Sequence, residues 1–143
     1  MDAVAATEML TAGGIDPARV RHHLRRVDPD RAKVRVAPAW FRRFWGKGIA
    51  AVCMPWSIYV QPDIMRRYRE GDRVDTIATL IAHELTHLEQ YRRLGPVRHG
   101  IRYAADYLMG RRRGLRHWDA YRAIGLEREA RYVAAVITVE SRQ

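Results

Sequence analysis

From Asp72 onward the chain takes on a helical rhythm. Val74, Ile77, Leu80, Ile81, Leu85 and Leu88 recur every three or four residues and so line one face of an α-helix. Asp72 or Asp75 is placed to cap its start, and Gly95-Pro96 stops it. Upstream the pattern is shorter in range. Residues 2–12 and 17–27 predict two short helices separated by GGIDP, with Asp16 as N-cap and Pro17 in the first turn. KVRVA (33–37) alternates as a short strand does. PAWFRRFWG (38–46) predicts a helical turn that carries Trp40, Phe41, Phe44 and Trp45 inward. GIAAVCMPWSIYVQP then holds two β-rich runs, 49–54 and 57–60. Pro55 between them cannot donate to a ladder and marks an edge or a turn. Downstream, a helix is predicted over 97–109, GRRRG (110–114) as a basic loop, and a last helix over 118–140 with Gly125 as a break.

Helices, a small sheet and then helices again predict an α+β fold. At 143 residues the chain is expected to form one domain with its own core. With 48% hydrophobic residues it is not disordered, and no apolar run approaches the ~20 residues needed to cross a bilayer. The opening MDAVAATEML lacks a basic segment followed by an apolar one, so the expected location is the cytoplasm, with no membrane partner. Cys53 is the lone cysteine, which excludes an internal disulfide and a cysteine-rich metal site. The net charge of +10 comes from 24 arginines and two lysines distributed along the whole chain. That spread suits solvated helix faces first and a nucleic-acid or anionic contact second.

The candidate chemistry lies within TLIAHELTHLEQY, where His83, Glu84 and His87 form H-E-x-x-H. On a helix, residues four apart are separated by about 40° in azimuth and ~6 Å in rise. Two imidazoles so placed converge on one ion at about 2.0–2.1 Å. Glu84 projects beside them, where a glutamate can take a proton from a zinc-activated water and pass it to a leaving amine. Catalytic zinc requires a third protein ligand, and His99, His117, Glu127 and Glu129 all follow the motif.

HELTH followed by GLEREAR resembles the gluzincin metallopeptidases, which pair HExxH with a downstream glutamate in an E-x-x-A context. The likeness is closest to small bacterial gluzincin-like domains and covers roughly residues 34–135, through SIYVQPDI, LIAHELTHLEQYRRLG and HWDAYRAIGLEREAR. It implies a minimal zincin core preceded by a helical extension over 1–30, with a small antiparallel sheet above the active-site helix. It also implies Zn2+ held by His83, His87 and Glu127, the first acid of the pattern being the ligand. Arg131 stands where such relatives often carry Asp, and Asp119 or Asp106 is the candidate to replace it in supporting the first histidine. Tyr121 and His117, six and ten residues before Glu127, are candidates to steady an oxyanion. Glu89 is expected to face solvent, and Gln90 either to line the cleft or to have no role.

The function expected from these residues is zinc-dependent peptide hydrolysis with Glu84 as general base. The substrate is then a peptide or protein, held in extended form beside the strand at 57–60. Two alternatives differ in kind. One is a zinc-stabilised binding or effector module whose basic surface surrounds Arg111, Arg112, Arg113 and Arg116. The other is a SprT-like, nucleic-acid-associated protease that uses His99 as third ligand.

Overall fold

In the computed structural model, which describes residues 3–143, the chain folds as eight helices around a four-stranded sheet. Asp2, where the first predicted helix begins, lies outside the described residues together with Met1. The strands are β1 (Val4–Ala5), β2 (Lys33–Val36), β3 (Ala51–Met54) and β4 (Ser57–Val60), in the order β1-β2-β4-β3. The α+β class is the predicted one, but the sheet is mixed, not antiparallel. β2 runs parallel to β4 in the register Val34↔Ile58, while β1–β2 and β3–β4 are antiparallel. A parallel neighbour requires a crossover, and the segment holding α3 (Ala39–Arg42) and β3 supplies it. Pro55 and Trp56 turn the β3–β4 hairpin, so Pro55 does mark a turn. β3 is left as an edge strand and β4 is interior. The expected docking edge at 57–60 is therefore already paired on both sides.

The central element is α5 (Val74–Leu94), whose Ile77, Ala78, Ile81, Ala82, Leu85 and Leu88 are all buried. Its start is not capped by Asp72 or Asp75. Arg73, at φ 54°, occupies the cap position, and Asp75 sits in the first turn, where its charge complements the helix dipole. The elements packed on this helix include α1 (Ala6–Ala12) through Met9 and Leu10, α8 (Gly125–Ser141) through Ala134 and Ile137, and β3 through Ala51 and Cys53. α2 (Pro17–His23), capped by the Asp16 carboxylate accepting from Ala18 N, adds Val20 to the same core and lies against α8. Residues 6–27 are thus part of the single core, not an extension beside it.

Other boundaries moved for identifiable reasons. Val4–Ala5 pairs with β2, so α1 begins later than predicted, and α2 ends at His23. A helix absent from the expectations, α4 (Pro62–Arg69), opens on Pro62 and buries Met65. Its apolar Ile64, Met65 and Tyr68 have helical spacing, but they follow a strand too closely to stand out. Trp40 and Phe44 were expected inside and are 66% and 81% exposed. Only Phe41 and Trp45 turn in, with Phe41 edge-on to Tyr59 at 5.3 Å. GRRRG is a loop only in its last two residues, because α6 (Pro96–Arg112) continues through Arg112 before the chain turns at Arg113-Gly114. Gly110 is buried there because a Cβ would lie 3.2 Å from both Ala120 Cα and Ala120 Cβ, on α7 (His117–Arg122). The predicted last helix does break at Gly125, which opens α8 with its N–H donating to Asp106 Oδ2 at 3.0 Å.

The α1–α5 contact has a sensitive point at Gly13, directly after α1. A Cβ there would penetrate the carbonyl of Val74 and the side chain of Ala78. Gly13→Ala is therefore expected to destabilise the fold by about 2 kcal/mol or more through overpacking, read as a lower urea midpoint at unchanged m-value.

Candidate metal centre

α5 carries His83, Glu84 and His87 on the turn that faces α8, and α8 presents Glu127 from its own first turn. The first four N–H groups of a helix lack intrahelical partners and favour a carboxylate nearby. The two helices pack together along their lengths, so the acid meets the imidazoles although 44 residues separate it from His83. His83 Nε2 lies 3.0 Å from Glu127 Oε1, and His87 Nε2 lies 3.0 Å from Glu127 Oε2. One ligand atom from each of the three residues falls within 4.8 Å of the others, close enough to hold a metal ion.

The hydrogen bonds around His87 test whether a cation suits this place. Gln90 is fully buried, and its Nε2 donates to Leu126 O at 2.9 Å and to Glu129 Oε1 at 2.8 Å. Two acceptors fix the amide orientation, so Gln90 Oε1 must accept from His87 Nδ1 at 2.9 Å. With its proton on Nδ1, a neutral His87 turns the lone pair of Nε2 toward a carboxylate oxygen. Two acceptors 3.0 Å apart repel unless a proton or a metal cation stands between them. The donor set therefore fits a cation, and two imidazoles with one carboxylate form the N/O set that zinc takes.

Electrostatics agree with that geometry. Burial alone would lower the His87 pKa. The hydrogen bond to Glu127 and the charges of Glu84 and Glu127 overcome it and raise the group to about 9. Burial likewise works to raise Glu127, but its bonds to His83 and His87 hold it well below the usual carboxylate range. Glu84 is pushed up, above all by desolvation, against the pull of His87 and His83.

The third-ligand candidates separate cleanly. Glu127 joins the histidines and Glu129 does not. Glu129 accepts from Gln90 and from Arg93 Nη2 at 2.9 Å, so it holds the amide that orients His87. His99 is buried outside the cluster. It bonds Gln90 Oε1 at 3.3 Å and stacks on Tyr91 at 4.1 Å, and desolvation lowers its pKa to about 4. His117 is exposed at the rim, with Nδ1 2.8 Å from the Tyr107 hydroxyl. Asp106 holds Gly125 and Asp119 is exposed, so neither takes the supporting role proposed for it. Glu89, expected in solvent, is buried and accepts from Arg26 N at 3.0 Å.

Tyr103 went unnoticed in the sequence. Its hydroxyl donates to Glu127 Oε2 at 2.9 Å from the inward face of α6. The available signal was its position four residues after His99, on one helical face. Tyr121, by contrast, does reach the cleft, where its ring stacks on Trp118 at 5.3 Å. Two cavities, of about 600 and 510 Å³, share Glu84, Tyr121, Glu127 and the edge-strand residue Ala51 in their linings. The centre is thus the floor of one cleft that opens both ways along β3. No protein-family model, curated protein or solved structure matches this chain.

The raised His87 pKa makes stability depend on pH when metal is chelated. His87 gains stabilisation as an imidazolium, which is complete below the ordinary 6.5 and is lost as pH rises through about 9. Glu84, also raised, acts with the same sign. The unfolding free energy of chelated protein should therefore fall across pH 6.5 to 9, by up to ~3 kcal/mol. Added zinc should reverse the fall by replacing the proton. A second measurement concerns Gln90→Ala, which should weaken metal affinity by about 10- to 100-fold in a chelator competition while both imidazoles remain.

Proposed function

We propose that the chain is a zinc-dependent peptidase of gluzincin type, with His83, His87 and Glu127 as its metal ligands. The observation that carries this proposal is the place of Glu84. Its carboxylate is buried on the same helical turn as two imidazoles and lines both arms of the cleft that Glu127 closes. A structural ion needs ligands only, and a buried carboxylate beside them carries a desolvation penalty that a catalytic base would justify.

Zinc in this site supplies Lewis acidity, polarising a carbonyl and lowering the pKa of water toward ~7. Glu84 then acts on protons. A carboxylate oxygen takes one from the attacking water as its oxygen bonds to the scissile carbon, and the same group returns it to the amide nitrogen as the C–N bond breaks. Desolvation raises the basicity of Glu84 toward the working pH, where a general base is most effective. The Tyr121 hydroxyl, half-buried in the cleft and kept neutral first by desolvation and then by the charge of Glu127, is placed to donate to a developing oxyanion. Tyr103 and Gln90 orient Glu127 and His87.

The substrate is a peptide in extended form, and the edge it adds to is β3. Antiparallel pairing gives Val52 and Met54 their ladder bonds to β4 and points the backbone groups of Ala51 and Cys53 outward. The Cys53 carbonyl already accepts from the Tyr91 hydroxyl at 3.1 Å, so Ala51 and the Cys53 N–H remain for a peptide. His99 stands outside the metal-holding set, which favours this peptidase type over the SprT-like one.

Glu84→Gln should retain about one zinc per chain and lower hydrolysis of an unstructured protein substrate by ~10²-fold or more. If wild-type protein with full zinc cleaves no peptide, the binding-module alternative takes precedence. Tyr121→Phe is expected to lower kcat by about tenfold or more with KM little changed, as loss of a transition-state donor does.

A further inference from the structure

α6 presents two different faces. Inward it packs His99, Tyr103 and Gly110 against the cleft and α7. Outward, Val97, Ile101 and Leu108 are spaced by four and seven residues and are 76%, 67% and 60% exposed. At 3.6 residues per turn these three lie within about 40° of one another, on the side opposite Tyr103, along ~16 Å of helix. Nothing among the described residues covers them. Exposed Ala104 and Ala105 extend the stripe, and exposed Met109 lies at its C-terminal end.

The surroundings of the stripe are cationic. Arg98, Arg111, Arg112, Arg113 and Arg116 are exposed, and none forms an ion pair among the described residues. The only acid on the helix, Asp106, is turned inward and bonded to Gly125. An isolated exposed leucine needs no explanation, whereas a row of them along one helical face does.

We infer that the outer face of α6 is a docking surface for an anionic lipid bilayer. An apolar row flanked by arginines matches the layering of a membrane interface. Val97, Ile101 and Leu108 enter the acyl boundary, and the arginines extend sideways to phosphates. A second copy of the chain would bring like charges together. A nucleic acid would use the arginines but gain nothing from the aliphatic row. Docking requires no spanning segment, and no helix here is long and apolar enough to cross a membrane. The surface is independent of the metal centre, although it would hold the cleft on the inner side of α6 close to the bilayer.

The test is co-sedimentation of the full chain with vesicles of phosphatidylcholine, with and without phosphatidylglycerol. Binding is expected only with the anionic lipid and should weaken as salt rises. Ile101→Asp with Leu108→Asp, and separately Arg111→Gln with Arg112→Gln, should each reduce it by about tenfold or more. Metal content and thermal midpoint should be unchanged, and Ile101→Ser with Leu108→Ser provides a milder pair. Three outcomes would overturn the inference: no binding to anionic vesicles at low salt, full binding by the aspartate and serine pairs, or self-association that buries the stripe. Full binding by those pairs, together with tight duplex-DNA binding, would assign the face to nucleic acid.

Discussion

One carboxylate facing two imidazoles across a helix–helix contact is the constraint on which the rest of this structure depends. Glu127 is almost completely buried, and a buried charge is tolerable only where opposite charge or strong donors surround it. His83, His87 and Tyr103 provide that environment from two other helices. The requirement couples the register of α8 on α5 to the placement of α6. Gln90 extends it further, because satisfying both of its amide protons ties the backbone of α8 at Leu126 to the orientation of His87.

This coupling explains why so much of the chain is organised around one helix. α5 is buried on several sides: α1 packs beneath its first half, α8 runs along it, and β3 crosses beside it. The apolar residues of α5 therefore occupy more than one narrow stripe, and several polar residues are buried among them. Glu84, Thr86, His87, Glu89 and Gln90 are all buried polar groups on this single helix. Thr86 bonds back to Ala82 O and Glu89 holds Arg26, so all four polar side chains other than Glu84 have hydrogen-bond partners in the chain itself. Glu84 is the member without such a partner, and it is also the one that lines both arms of the cleft.

α6 shows the same economy in another form. Its inner face lines the candidate metal site and its outer face carries an exposed apolar row near several arginines. The charge that seemed diffuse along the sequence is therefore locally arranged. Arg26 and Arg93 hold the carboxylates of Glu89 and Glu129 and Arg142 holds the Gly13 carbonyl, whereas the arginines from 111 to 116 have no such partner among the described residues.

The sequence alone determined the helix that carries His83, Glu84 and His87, because its apolar spacing and the four-residue interval between the two histidines are local properties of one turn geometry. It also determined the α+β class, the Pro55 turn and the break at Gly125, each a matter of short-range backbone preference. The choice of Glu127 over Glu129 was different: spacing allowed both, and only the packing of α8 on α5 places one beside the imidazoles and the other beside Arg93. Tertiary structure likewise decided that Glu89 is buried, that Trp40 and Phe44 are not, that Tyr103 joins the centre, and that β3 is the open edge. The physical reason is common to all of these. Burial and partnership depend on which surface arrives from elsewhere in the chain, and periodicity within one segment carries no information about its neighbour.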